Sequence, residues 1–469
     1  MTDPTPPSNT PDPSVPPTPE ATPSLKSRAI RGSLWTLGGY GTSQLLRFAS
    51  NLILTRLLFP EAFGLMSLVH IFLQGLEMFS DIGIAPNIIH SDRGDDPSFL
   101  NTAWTVQAIR GGGLWLLACA IAWPAARFYS EPMLVQLLPV VGLTALISGF
   151  RSTKLATANR QVNLGKITLL EIGSYTVGVA VMITGAWLYQ SVWALVAGGL
   201  VDAILQMSLS HVIVSGVNNR FHWEKEAFQS LYRFGRWIFF STALTFLAGQ
   251  GDRLLLGRLL DVRFLGIYTI AVTLSRFPRM AISQVINRVL FPSYAELMRD
   301  RPEKVYANLR KSRLGLILIS WGISIFFLLF GPALINFLYD PRYSAAGWII
   351  QIISIGALTG SVNATYDGIL LAKGRTDLIS YLLIFQIISQ FSAMIVGYTL
   401  GREVGVVLGL SCYSWVAYPV QSYLMSRFSL WQPEVDIPFM IAAAIILGGV
   451  IGEFYFGWFG LFAMGALNL

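Results

Sequence analysis

From Leu34 to the C-terminus, apolar runs alternate with short polar breaks. A helix that crosses a bilayer needs about 20 mostly apolar residues. The pattern predicts such helices near 34–54, 63–88, 103–126, 133–150, 167–188, 192–214, 235–257, 264–290, 314–331, 346–371, 378–400 and 404–425. The run from Pro438 to Leu467 fits one long span, or a span followed by a shortened one. Pro86, Pro278, Gly356 and Gly360 fall inside these runs and predict kinks. No break is long enough for a separate soluble domain. The expected fold class is an all-α polytopic membrane protein of 12 spans plus one or two C-terminal helices.

Composition agrees with this pattern. Of 469 residues, 53% are hydrophobic and only 13% charged, against about 25% charged in a soluble domain. That balance excludes a soluble enzyme and a disordered chain. Residues 1–24 are the exception, with nine prolines and no Lys or Arg. They predict a solvated, polyproline-rich tail. The tail lacks the basic start and apolar run of a secretory signal peptide. Cys119 and Cys412 each sit in an apolar run, which argues against a disulfide framework. His70, His90, His211 and His222 are scattered without ligand spacing, so no metal site is expected. No Walker motif and no acid–base or Ser/His/Asp constellation is present, so neither a cofactor nor a catalytic residue is expected.

A formal net charge of +7 would point a soluble protein toward nucleic acid. Here membrane topology explains it. One set of alternate breaks holds clusters such as Lys26, Arg28 and Arg31; Arg151, Lys154, Arg160 and Lys166; and Arg299, Arg301, Lys304, Arg310, Lys311 and Arg313. The other set holds only Arg56, Arg127, Arg258, Arg263, Arg342 and Arg402. The positive-inside rule places the N-terminus and the clustered breaks in the cytoplasm. No nucleic-acid partner is implied.

The chain also echoes itself. Residues 56–66 read RLLFPEAFGLM and residues 258–268 read RLLDVRFLGIY, without a gap. The same offset pairs Arg31 with Arg233, Trp35 with Trp237 and Met78 with Met280. Six spans separate the copies. An even number makes them parallel, related by an axis along the membrane normal. Transporters built this way hold substrate between two lobes and alternate access by rocking them. The expected layout is a cytoplasmic tail over 1–26, a six-helix lobe over 27–215, a cytoplasmic linker over 216–234, a second six-helix lobe over 235–427, and a C-terminal membrane helix or hairpin over 437–469. The two pseudo-symmetric lobes would enclose a central cavity.

Arg47, Arg110, Arg253, Arg276, Arg279 and Arg288 lie inside the expected spans. Each would cost about 2.5–3.5 kcal/mol at a lipid-facing helix centre. They should therefore face a watery cavity or a partner, or, for Arg110 and Arg288 near span ends, snorkel outward. Gln44, Arg47 and Asn51 share one helical stripe. So do Gln74, Glu77 and Asp81, and again Arg276, Arg279 and Ser283. The offset superposes the last two stripes, acidic in one lobe and basic in the other. One reading is a buried polar seam. The other is a gate in which Glu77 or Asp81 pairs with Arg276 or Arg279 until an anionic substrate breaks it. Arg47, Asn51, Arg253, Arg276 and Arg279 are the substrate-binding candidates. Glu77, Asp81, Asp202, Asp252 and Asp367 are the gating or ion-coupling candidates, with Glu171 a further intramembrane acid.

Several stretches resemble a known family. They are ILTRLLFPEAFGLMSLV and FSDIGIAPNII, WALVAGGL, RFGRWIFFSTALTFLAGQGDRLLLGRLL, and LGIYTIAVTLSRFPRMAISQVINRVLFPSYAEL. Together they make the chain similar to the polysaccharide flippases of the multidrug/oligosaccharidyl-lipid/polysaccharide (MOP) exporter superfamily, in the Wzx-type branch. The similarity covers roughly residues 27–430. It implies two six-helix lobes around a cationic cavity, and export of an undecaprenyl-pyrophosphate-linked oligosaccharide across the cytoplasmic (inner) membrane. It also implies a basic position in the seventh span, matched here by Arg253, and possible contact with other polysaccharide-assembly proteins.

Two other functions remain open at this level. A cation-coupled drug or metabolite antiporter of the same fold would use a carboxylate-dominated cavity. An integral membrane glycan polymerase or ligase would carry a large external loop with catalytic residues. Six intramembrane arginines speak against the first, and the short external breaks against the second.

Overall fold

The computed structural model describes residues 25–81, 83–161, 164–235, 238–286 and 290–456. The tail over 1–24, Arg288 and the end of the C-terminal run lie outside these residues. Among the described residues every regular element is helical. In chain order they are α1 (Leu25–Leu57), α2 (Pro60–Ser80), α3 (Ile84–His90), α4 (Pro97–Tyr129), α5 (Leu134–Gly149), α6 (Lys154–Arg160), α7 (Leu164–Tyr189), α8 (Trp193–Val212) and α9 (Lys225–Gly235). The second half follows with α10 (Ile238–Leu259), α11 (Val262–Val285), α12 (Phe291–Asp300), α13 (Val305–Leu338), α14 (Ala346–Ala364), α15 (Asp367–Ala372), α16 (Thr376–Arg427) and α17 (Pro433–Phe456).

The element α16 is two helices. Its backbone breaks at Gly401–Arg402, where Arg402 takes a left-handed φ of 43°. The halves fold back on each other. A Cβ added at Gly397 would meet the Gly405 carbonyl oxygen at 2.0 Å, and the reverse holds at Gly405. With α16 counted as a pair, the two halves of the chain share one packing plan. α4 packs on α5 as α13 packs on α14, and α1 on α7 as α10 on α16. Even the short helices correspond, α3 on α6 and α12 on α15.

The repeat is visible atom by atom where α2 meets α11. The Thr269 hydroxyl donates to Ser67 Oγ at 3.2 Å, between positions 202 apart in sequence. A Cβ at Gly64 would lie 1.9 Å from the Val262 carbonyl oxygen, and a Cβ at Gly266 would lie 1.9 Å from that of Pro60. Each glycine thus admits the first helical residue of the other copy. Glu61 and Arg263, equivalent positions again, form an ion pair at 3.8 Å.

α2, α4, α7, α8, α13, α14, α16 and α17 are each long and apolar enough to cross a membrane. α5 and α6, bent by 58° at their junction, make a further candidate. The chain is a multi-pass membrane protein. α1, α10 and α11 are long but more polar. Their sequences carry Gln44 and Arg47, then Gln250, Asp252 and Arg253, then Arg276.

Among the described residues the large core shared by the lobes lies at one end, and Phe79 against Phe246 is a further contact between them. Leu54, Leu58, Leu65 and Val69 of the first half pack in one cluster with Leu256, Leu265, Tyr268 and Ile349 of the second. Tyr343 donates to the Leu58 carbonyl at 3.2 Å, Arg342 to that of Arg56 at 2.9 Å, and Tyr129 to that of Leu254 at 3.2 Å. At the opposite end the cores are separate. Ile84, Ile88, Phe99 and Leu100 form one cluster, and Tyr294, Leu309, Tyr366 and Met425 another. The molecule is closed where α1 ends and α2 begins, and diverges toward the ends that carry α3, α6, α12 and α15.

Three expectations are corrected by this fold. The span near 63–88 stops at Ser80, because Asp81 Oδ1 accepts from the Gly83 amide at 2.9 Å and Gly83 takes a φ of 66°. Likewise α14 stops at Ala364 rather than at 371. α14 runs unbroken through Gly356 and Gly360. Gly356 serves close approach instead, since a Cβ there would meet Ser411 Cα at 2.8 Å. Arg313, grouped with cytoplasmic basic residues, is fully buried and pairs with Asp436 of α17 at 2.6 Å. The segment over 216–234 packs against α4. The amides of Arg220, His222 and Glu224 donate to the side chains of Asn101, Thr105 and Thr102 on α4. Glu224 also binds Arg93 at 2.6 Å, and this contact holds its carboxyl down at about 2.

Candidate functional site

Where the lobes diverge, α2 exposes His70, Gln74 and Glu77, spaced one helical turn apart. Beside this stripe a cavity of about 640 Å³ opens into the second lobe. It is walled by α10, α11, α14 and both halves of α16, with Gln74 and Met78 of α2 at its edge. Asp252 and Arg276 are its charged lining residues among those described. The rest of its polar lining is amide and hydroxyl.

The wall nearest the first lobe is a hydrogen-bonded relay. Arg253 Nη1 donates to Gln250 Oε1 at 3.0 Å, and Gln250 Nε2 donates to Gln74 Oε1 across the lobes at 2.8 Å. Asp252, the residue before Arg253 on α10, is buried and accepts from the Tyr268 hydroxyl at 2.6 Å. Its Oδ1 has no partner. Arg276 donates to the Gly249 carbonyl at 3.1 Å and so lies along the same wall.

The first lobe carries a separate charged face. The Arg47 guanidinium lies over the Tyr175 ring at 4.9 Å. Asp202 accepts from Gln206 at 2.8 Å. Arg151, at the bend between α5 and α6, is within electrostatic range of Asp202, Glu171 and Glu77. Its Nε is buried without a hydrogen-bond partner.

The candidate residues therefore fall in several places. Arg276 and Asp252 line the second-lobe cavity. Arg253 stands behind them in the relay. Arg47, Glu77 and Asp202 belong to the first-lobe face. Asn51 lies at the closed end, where it accepts from the Tyr339 hydroxyl at 3.3 Å. Asp81 caps the break after α2. Asp367 opens α15, and Arg279 lies within α11; the side chains of both are outside the described residues. Among the described residues no ion pair joins Glu77 or Asp81 to Arg276. Arg110 does not snorkel. It crosses from α4 to donate to Ser80 Oγ at 2.9 Å and to the Glu77 carbonyl at 3.0 Å, capping the C-terminal end of α2.

Sequence reasoning passed over the amides of the second lobe. Asn363, Gln386, Gln390 and Gln421 all line the cavity. Their signal was an amide in an apolar run, where a buried polar group is costly without a partner. A search confined to charges does not register it.

A family model described as "Polysaccharide biosynthesis protein" matches residues 53–347. The lipopolysaccharide biosynthesis protein WzxC of Escherichia coli (strain K12) is 22% identical over 451 residues, covering 91% of this chain and 89% of that protein. Among solved structures, the lipid II flippase MurJ in an inward closed conformation superposes with a TM-score of 0.66 at 13% identity, over 90% of this chain and 92% of that one. An inward-facing multidrug resistance MATE family transporter of the MOP superfamily superposes with a TM-score of 0.64 at 14% identity, over 81% and 94%. At such identities the two structures establish a shared fold.

Proposed function

We propose a function for this chain from the premise that it belongs to the polysaccharide biosynthesis protein family. It is a transporter that flips a lipid-linked oligosaccharide, with undecaprenyl pyrophosphate as the lipid, from the inner to the outer leaflet of the cytoplasmic membrane by alternating access. The observation that carries this reading is the cavity beside the α2–α11 contact, sealed at one end by a core shared between lobes and diverging at the other. Sugars and pyrophosphate cannot cross about 30 Å of hydrocarbon unaided. A polar chamber that opens to one side at a time removes that barrier without exposing the lipid tail to water.

In this reading the diverging end faces the cytoplasm, as does the N-terminus. The clustered basic residues support that orientation. The lobes comprise 27–215 and 235–427, and α17 rides on the second. Arg276, with Arg253 behind it, offers charge-assisted hydrogen bonds to the pyrophosphate. Arg47 adds positive charge along the path. Asp252 is the strongest candidate for proton or cation coupling, being a buried carboxylate with one unpartnered oxygen beside the cavity.

The test is translocation in proteoliposomes of a panel of short undecaprenyl-pyrophosphate oligosaccharides, with and without proton and sodium gradients. The wild type should move at least one glycan. Arg276→Ala should slow it about tenfold or more, the loss expected for one charged hydrogen-bonding group. Asp252→Asn should remove whatever gradient dependence the wild type shows. Transport of organic cations but of no lipid-linked glycan would overturn the reading in favour of an antiporter.

A further inference from the structure

We propose that the second-lobe cavity seats the carbohydrate part of the cargo and recognises uncharged sugar residues. This rests on the flippase reading but makes a claim of its own, about which lobe holds the glycan and by what chemistry. The described lining is charge-balanced, with Arg276 against Asp252. Around them stand amides, hydroxyls and four rings, Phe246, Tyr268, Phe385 and Tyr413. Some of these groups satisfy each other. Asn363 Nδ2 donates to the Ser414 carbonyl at 3.0 Å, Gln421 Nε2 to the Asn363 carbonyl at 3.3 Å, and Gln386 Nε2 to the Tyr413 hydroxyl at 3.5 Å.

Among the buried side-chain atoms of the described lining, two have no hydrogen-bond partner, and both are acceptors. Asn363 Oδ1 and Asp252 Oδ1 are buried in the lining without a hydrogen-bond partner. Asp252 is only 6% exposed. A buried acceptor without a donor is costly, so the cavity is matched to a ligand that brings donors. The three parts of the cargo differ in this respect. A pyrophosphate diester offers acceptors only. A polyprenyl tail offers neither donor nor acceptor. A sugar residue offers O–H donors, and N–H donors where it is acetamido-substituted, with an apolar C–H face for Phe385 or Tyr413. The cavity volume of about 640 Å³ falls within the range of about 300–1,000 Å³ usual for small-molecule sites. The first-lobe face, built from Arg47, Glu77, Arg151, Glu171 and Asp202, lacks this neutral character. The glycan therefore enters the second lobe, with its phosphate toward Arg276.

Saturation-transfer NMR on the purified full chain tests the assignment without requiring transport. The probes are two neutral tetrasaccharides, maltotetraose and tetra-N-acetylchitotetraose, and the anionic tetragalacturonate. At least one neutral probe should bind. Asn363→Leu combined with Gln421→Leu should weaken it about tenfold or more, the loss expected when hydrogen-bonding groups are removed. Tyr413→Leu, which keeps an apolar side chain, should also weaken it. Gln206→Leu in the first lobe should leave it unchanged. Binding of neither neutral probe, tighter binding of tetragalacturonate than of both, or binding indifferent to all second-lobe changes would overturn the proposal. If a lipid-linked glycan is moved but the second-lobe changes leave probe binding intact, the site fails and the flippase stands. If probe binding follows those changes but no lipid-linked glycan is moved, the flippase reading fails and the site stands.

Discussion

Arg313 and Asp436 are the residues whose loss should be felt most in stability. Both are fully buried. Tyr366 donates to Asp436 at 2.8 Å, Tyr418 donates to it at 3.2 Å, and the Arg313 guanidinium lies 3.5 Å over the Tyr366 ring. Removing one partner of a buried pair strands the other charge and costs about 3–5 kcal/mol. Asp436→Leu should therefore lower the thermal unfolding midpoint in detergent sharply, and Arg313→Leu added to it should restore much of the loss. A single variant as stable as wild type would contradict the account. This pair was not legible in the sequence. Arg313 follows Arg310 and Lys311 and so reads as part of a basic break, while its partner lies 123 residues away. Gln74 and Glu77 were legible as one stripe because helical periodicity places them on one face, whereas Asp81, read onto the same stripe, lies past the helix end. What periodicity could not supply was the next contact, so the bond from Gln250 to Gln74 emerges only from the fold.

Among the elements, α2 and α11 set how closely the lobes approach. Gly64 and Gly266 leave no room for a side chain against the facing carbonyls. Gly64→Val and Gly266→Val should each destabilise the closed end by about 1–3 kcal/mol, as overpacking does. Tyr129 and Tyr343 there should become more accessible to aqueous modification. Unchanged accessibility in both variants would show that the contact does not close that end. The strap before α9 yields a pH prediction. Glu224 is held near 2, against its ordinary 4.5, chiefly by its hydrogen bonds to Arg93 and then by that to Ser98. A depressed carboxylate contributes stability that is present above its ordinary value and is lost as pH falls toward the depressed one. Wild type should thus exceed Glu224→Gln in unfolding midpoint at neutral pH, and the two should converge between about 4.5 and 2. Equal midpoints at neutral pH would mean the strap is held by the backbone bonds to α4 alone. Helix positions were readable from apolar runs, but helix ends were not. The stops at Ser80 and Ala364 depend on local caps and on short helices that hydropathy merges with the spans.

At the scale of the molecule, the repeat was present in the sequence as a fixed offset, and the structure returns it as contacts between equivalent residues. The direction of divergence was not readable, because it depends on which ends of two similar lobes share a core. The central claim is that the closed end must part for cargo to leave. Ser67 and Thr269, whose hydroxyls meet at 3.2 Å, allow a direct test. In a background with Cys119 and Cys412 replaced by serine, Ser67→Cys with Thr269→Cys should form a disulfide on oxidation, since a bridge of about 2.05 Å needs side chains already in contact. Lipid-linked oligosaccharide flipping in proteoliposomes should then stop and return on reduction, while either single variant transports in both states. Continued flipping by the cross-linked protein would contradict alternating access through this contact.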